Sequence, residues 1–259
     1  MNAPISHPTV SPSPIGGSWA RERWLGFTLA IVGYSFYFPM TEFASTLAPI
    51  DVMIPLDETI PLTPWWIFIY AMIYPAALLP LVVVKDPLLF RRLILGYMCL
   101  EASAMVVFVL APVHMTIRPP IESITQEGFF PWAVQLCYFI DKPTCCFPSL
   151  HVAAATYSAL CALRVDRFIG WCSLAVAILI AISTLTVKQH FIADVALGAA
   201  MASVWYWIWM RTAPSLNPDD EAYPRSRTWI PVGVFSAVVL VLYGAYISGW
   251  APWQTGGLS

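Results

Sequence analysis

Several residues in this sequence have the types and spacing for chemistry on an anion. His190 and Asp194, in "KQHFIAD", are one helical turn apart, so they share a face and can hydrogen-bond. A carboxylate on one imidazole nitrogen fixes the tautomer and makes the other nitrogen a better nucleophile or base. His151 follows "CFPSL" at the lip of an apolar segment; beside a second histidine it is a candidate general acid. Arg118 precedes two prolines, and a guanidinium grips a phosphate with two donors at once. Pro148 suits the first position of a helix, whose outward amides form an anion site to which the Ser149 hydroxyl adds a donor. Lys188 precedes His190 by two residues, with Gln189 between them. Plainer readings stand beside these: a structural polar pair for His190 and Asp194, and interfacial side chains for His151, Arg118 and Lys188. For Lys188 the two readings stand level. Taken together, two histidines, an arginine and a helix N-terminus suit a phosphate ester dianion better than a neutral substrate.

The elements that must position these residues are membrane helices. Hydrophobic residues make up 59% of the chain and charged residues 11%, where a water-soluble domain carries about 25% charge. Mean hydropathy is +0.70. A net charge of −2 gives no polybasic surface for nucleic acid. A hydrocarbon core takes roughly 17–25 apolar residues per helix. Spans are expected near 24–40, 64–84, 93–113, 148–163, 168–187, 190–210 and 229–250. The fold expected is an all-α polytopic bundle, in one transmembrane domain over 21–259 behind a disordered, Pro- and Ser-rich tail over 1–20. The tail lacks the early basic region and clear cleavage site of a signal peptide.

Charge orients the bundle. With seven spans, Arg21, Arg23, Lys85, Arg91, Arg92, Arg164, Arg167, Arg211, Arg225 and Arg227 fall on one side, and only Arg118, Lys142 and Lys188 on the other. The bias puts the N-terminus in the cytoplasm. The loops carrying Arg118, His151 and His190 then emerge together on the periplasmic, extracellular or lumenal face. Small residues offer a packing route: Asp194, Gly198 and Ala202 follow His190, and Ala155, Ser158, Ala159 and Ala162 follow His151. Spans four and six are expected to touch along these two histidine-bearing faces.

Other residues carry open alternatives. His114 either lines the site or is an interfacial histidine, and the second is preferred. Glu101 lies mid-span, where a carboxylate is a functional candidate by default; a protonated interhelical hydrogen bond is the favoured plain account. Asp141 and Lys142 are adjacent and suited to pairing. Cys137 can form a disulfide with Cys145 or Cys146 in an oxidising compartment. The Pro-rich stretch 42–63, which has no basic residue, lies along the interface or simply connects two spans.

Arg118-Pro119, then Pro148-Ser149-Leu150-His151, then Ser183 through His190 to Asp194 resemble the three motifs of the type 2 phosphatidic acid phosphatase superfamily, over about residues 60–205. The resemblance implies a six-helix core, with the seventh span an addition. It also implies that His190 attacks phosphorus to give a phosphohistidine, supported by Asp194, while His151 protonates the leaving group. Three departures stand out. Ala111 replaces a lysine of the first motif, Leu150 the glycine of the second, and Thr184 the arginine that follows the serine of the third. The Pro-Ser-Leu-His and Gln-His forms look more like the branch that contains inositol phosphorylceramide synthases.

The expectation is an integral-membrane lipid phosphatase that acts on a membrane lipid in the bilayer, with no cofactor and no metal. The alternatives are a phosphotransferase that moves a phospho-headgroup to a lipid alcohol, a metal-dependent hydrolase using His114, His151, His190 and Asp194, and a non-enzymatic transporter or binding protein. The sequence carries no signal for oligomeric state.

Overall fold

The computed structural model describes residues 16–213 and 225–254. It is an all-α polytopic membrane bundle. Of the expected tail, residues 1–15 lie outside the described residues, and residues 16–20 already belong to the first helix. Helices α1 (Gly16–Ser35) and α2 (Tyr37–Ala44) are nearly continuous, and a short α3 (Pro55–Thr59) follows in the expected connector. The second span comprises α4 (Trp66–Ala71) and α5 (Ile73–Val83), offset at Met72. Then come α6 (Pro87–Leu110), α7 (Phe129–Ile140), α8 (Leu150–Val165), α9 (Arg167–Thr186), α10 (Ile192–Trp209) and α11 (Trp229–Ile247).

Local chemistry sets the boundaries. The Asp86 carboxylate accepts the Leu89 amide at 2.6 Å and Pro87 opens α6, so this helix starts before Arg91 and Arg92 rather than after them. It stops at Leu110 because Pro112 disfavours helical backbone at Ala111, whose φ is −138°. Asp166 ends α8 and caps α9 by accepting the Phe168 and Ile169 amides, which makes a tight hairpin.

Among the described residues, five stretches are long and apolar enough to cross a membrane: Trp66–Val83, Pro87–Leu110, Arg167–Thr186, Ile192–Trp209 and Trp229–Gln254. Two expected spans differ. Helix α1 carries Arg21, Glu22 and Arg23 in its first half. Helix α8 has 16 residues, about 24 Å at 1.5 Å per residue, against a core of about 30 Å. It needs no full lipid-facing length because α5, α6, α9 and α10 surround it. Helix α11 packs on the outside against α5 and α7, and Pro231 is its buried residue.

The two ends of the bundle differ. At one, Arg23 bonds the Val84 carbonyl, Arg91 pairs with Glu22, Arg92 bonds Thr212, and Arg164 bonds the Ala213 carbonyl. At the other, the loops interlock through Ile50 N to Pro112 O, Thr63 N to Thr186 O, Met115 N to Pro143 O and Cys146 N to Val113 O. Every motif residue lies at this second end.

Candidate active site

The segment between α9 and α10 is a tight turn. Lys188 adopts a left-handed φ of 53°, uncommon for a residue with a Cβ. The turn brings the Gln189 and His190 amides onto the Thr184 carbonyl at 2.9 and 3.2 Å. The Asp194 carboxylate accepts the Phe191 amide at 2.8 Å, which fixes the start of α10. His190 is thereby delivered, nearly buried, with Nδ1 at 2.9 Å from the Cys146 carbonyl and 3.3 Å from Asp194 Oδ2. A carbonyl only accepts, so Nδ1 carries the hydrogen and Nε2 presents its lone pair. The expected His190–Asp194 pair exists, but the closer tautomer-setting partner is a main-chain oxygen.

Ser149 is the N-cap of α8, and its hydroxyl accepts the Val152 amide at 3.3 Å. Pro148 therefore precedes the cap and is not the first helical residue. With both groups buried, the Ser149 amide donates to the Asp194 carbonyl at 3.0 Å and joins the two motifs directly. His151, in the first turn of α8, stacks on Tyr70 of α4 with ring centroids 4.4 Å apart, and its centroid lies 5.9 Å from that of His190.

The packing route is half as expected. On α10, Asp194, Gly198 and Ala202 are indeed the buried row. A Cβ on Gly198 would collide with the Ser149 carbonyl, so α8 meets this row through Ser149 and Ala153. The row of Ala155 and Ala159 packs instead with Ile73, Ala177 and Ile180 of α5 and α9, and Ser158 bonds Tyr97 of α6. The contacting row of Ser149 and Ala153 is two residues, about 200°, round the helix from the row of His151 and Ala155.

The cations divide. Arg118 donates to the carbonyls of Asp141 (2.7 Å) and Tyr138 (2.6 Å), lies over the Tyr138 ring and reaches Gln189 Oε1 at 3.4 Å. That places its guanidinium beside the neighbour of His190. Lys188 turns the other way, and its ammonium donates to the Asp57 carbonyl at 2.9 Å. Burial lowers the Lys188 pKa, opposed by Asp57 and Glu58. His114 bonds the Ala44 carbonyl at 3.2 Å. Gln189 donates to the Cys137 sulfur. Cys137, Cys145 and Cys146 are free thiols. Among the described residues no three of His, Cys, Asp and Glu form a metal-binding group.

Four participants had no assigned place in the site. Tyr70 holds the His151 ring, and nothing in an aromatic-rich span singles it out. The Cys146 carbonyl is main chain and leaves no trace in residue types. Asp141 does not pair with Lys142, which takes Glu42 at 2.6 Å. Instead Asp141 accepts the Tyr37 hydroxyl at 2.8 Å. Burial raises its pKa against the opposing effects of Tyr37, His190 and Arg118. Asp57, in the presumed connector, accepts the Ile192 amide at 2.9 Å and so clamps α3 onto the start of α10.

Both histidines border an apolar cavity of about 360 Å³ between α1, α5, α6 and α8. Residues 89–218 match the family model described as the PAP2 superfamily. The chain belongs to that superfamily. No curated protein and no solved structure matches it. Superfamily membership and the apolar helices are consistent with a multi-pass membrane enzyme of phosphatase type.

Proposed function

We propose that this PAP2 superfamily protein cleaves a lipid phosphate ester at the outer leaflet through a phosphohistidine and releases phosphate. The observation that carries the reading is that the His190 and His151 rings, with centroids 5.9 Å apart, line one apolar cavity. A lipid in that cavity brings its phosphorus to a histidine already in the nucleophilic tautomer.

In the first step Nε2 attacks phosphorus in line, the N–P bond forms and the ester P–O bond breaks. The bound phosphate dianion beside it holds His151 protonated, and His151 gives this proton to the departing oxygen. The positive imidazole is stabilised by the Cys146 carbonyl and Asp194. His151, now neutral, takes a proton from water, whose oxygen attacks phosphorus as the N–P bond breaks. Of the five guanidinium donors of Arg118, three are engaged by Asp141, Tyr138 and Gln189. The remaining Nε–H and one Nη2–H form a fork for the phosphoryl oxygens. Lys188, committed to Asp57, has no step in this scheme, and Ser149 contributes by holding α8 to α10.

Transfer to a lipid alcohol is the second reading, favoured by Leu150. It stands at the usual glycine position and lines the cavity, where an apolar side chain disfavours water. Purified protein is given a labelled phosphomonoester lipid, then a phosphodiester lipid with and without a lipid alcohol. Free phosphate from the monoester, abolished by His190→Ala, blocked by vanadate and insensitive to EDTA, is the expected result. A new phospholipid formed only with the alcohol, and no free phosphate from the monoester, would replace hydrolysis by transfer. Chelator sensitivity would overturn the metal-free scheme.

A further inference from the structure

Glu101 of α6 is not used by the chemistry above, yet it lines the cavity that His151 and His190 border. Its Oε2 is buried, has no hydrogen-bond partner among the described residues, and lies where a Cβ on Gly33 of α1 would stand. A buried, unpartnered carboxyl oxygen is costly to keep, and the Glu101 side chain belongs to a cavity wall that is otherwise overwhelmingly apolar.

Its depth follows from packing. Leu150, the neighbour of His151, packs with Ala104 and Phe108 of α6. Glu101 is three residues below Ala104, about 4.5 Å at 1.5 Å per residue. A second register agrees. Tyr97 bonds Ser158, which lies seven residues below His151, and Glu101 is four residues above Tyr97. Both place Glu101 roughly one helical turn beneath the histidines. An extended chain advances roughly 1.2 Å per bond, so a group about four or five bonds beyond the phosphoester oxygen reaches this level.

We propose that the cavity holds a hydrocarbon chain of the substrate lipid and that Glu101 accepts a hydrogen bond from a hydroxyl or amide N–H carried near the phosphoester end of that chain. The occupant is the chain of the lipid whose phosphate meets the histidines, because one continuous cavity joins the two. At roughly 30 Å³ per methylene-sized group, the cavity takes on the order of a dozen such groups. Fully esterified glycerolipids offer only acceptors at this level and leave an ionised Glu101 unmatched. The proposal deepens the phosphohistidine reading and rests on it for the position of the phosphorus.

The test uses a pair of phosphorylated lipids that differ only in a free hydroxyl or amide N–H at this position, against its O-methyl or ester counterpart. Full-length protein in lipid nanodiscs should prefer the donor lipid about 10- to 100-fold in kcat/KM. Glu101→Leu should turn over both lipids at the rate of the poorer one. Glu101→Gln, whose amide carbonyl still accepts, should keep most of the preference. Gly33→Ala, which pushes a methyl group onto Oε2, should reduce it even if Glu101→Leu fails to fold. Equal turnover of the pair by wild type, with His190→Ala dead towards both, overturns the Glu101 proposal alone. Equilibrium binding of the matching phosphonate pair needs no chemistry. A Glu101-dependent preference there without any His190-dependent turnover overturns the reaction and leaves the pocket standing, whereas equal binding of the two phosphonates overturns the pocket.

Discussion

The imidazole of His190 has one nitrogen committed to a carbonyl, and this limits what each neighbour can contribute. Replacing Asp194 by Asn removes charge support, but the Cys146 carbonyl at 2.9 Å still holds the tautomer. The expected loss in kcat is on the order of 10–10³, below the ~10⁴ that follows when the tautomer itself is wrong; single-turnover phosphorylation of the variant measures it. Arg118 gives the second residue-scale prediction. Its planar fork spans two carbonyls and, in the proposed reaction, keeps two further donors for the phosphate, which an ammonium cannot do. Arg118→Lys should lower kcat/KM on the order of 10–100-fold, mostly through KM if the loss is uniform binding. A wild-type rate in Arg118→Lys would remove this residue from the phosphate site.

Between elements, the decisive contact is that of α8 with α10 at Gly198. Any Cβ there meets the Ser149 carbonyl, so Gly198→Ala must part α8, which carries His151, from α10, which the His190 turn leads into. Overpacking of this kind costs about 1–3 kcal/mol. A lower unfolding temperature in detergent, with loss of activity beyond what that destabilisation explains, is the expected result. Unchanged activity would mean that the spacing of the histidines does not depend on this contact. Much at this scale was legible from sequence: the long apolar runs, the buried row Asp194–Gly198–Ala202, and the meeting of three distant motifs at one end. What was not legible depended on groups without a sequence signature. Helix α7 is only 12 residues long, too short to stand out as a span. Asp57 sits in a stretch with no periodicity and acquires its place only by reaching α10 across the fold. The stacking of Tyr70 on His151 is set by how α4 lies against α8, which spacing does not encode.

For the whole molecule, the two unlike ends support the proposed sidedness of the chemistry. Arg23, Arg91, Arg92 and Arg164 gather at the end opposite the histidines, and such clusters remain on the cytoplasmic side. In a cysteine-free background, Thr125→Cys should react with an impermeant thiol reagent from outside, and Thr212→Cys only after permeabilisation. The reverse pattern would move the site, and with it the substrate pool, to the inner leaflet.

The oxygen that orients His190 belongs to the main chain, and no side-chain replacement can delete it. In a saturation mutagenesis experiment, small residues at position 146 should score as silent, although that position supplies the orienting group. The sensitivity should appear instead where the loop is held in place. Cys146 N bonds the Val113 carbonyl, and Val113 packs with Met115, Cys146 and Phe191 in a small cluster at the same end of the bundle. Genetic scans that rank positions by damage would therefore point to these packing residues and pass over the atom itself. A variant library of this protein will understate the loop at Cys146 unless the backbone is perturbed directly, by proline or by an ester in place of the amide.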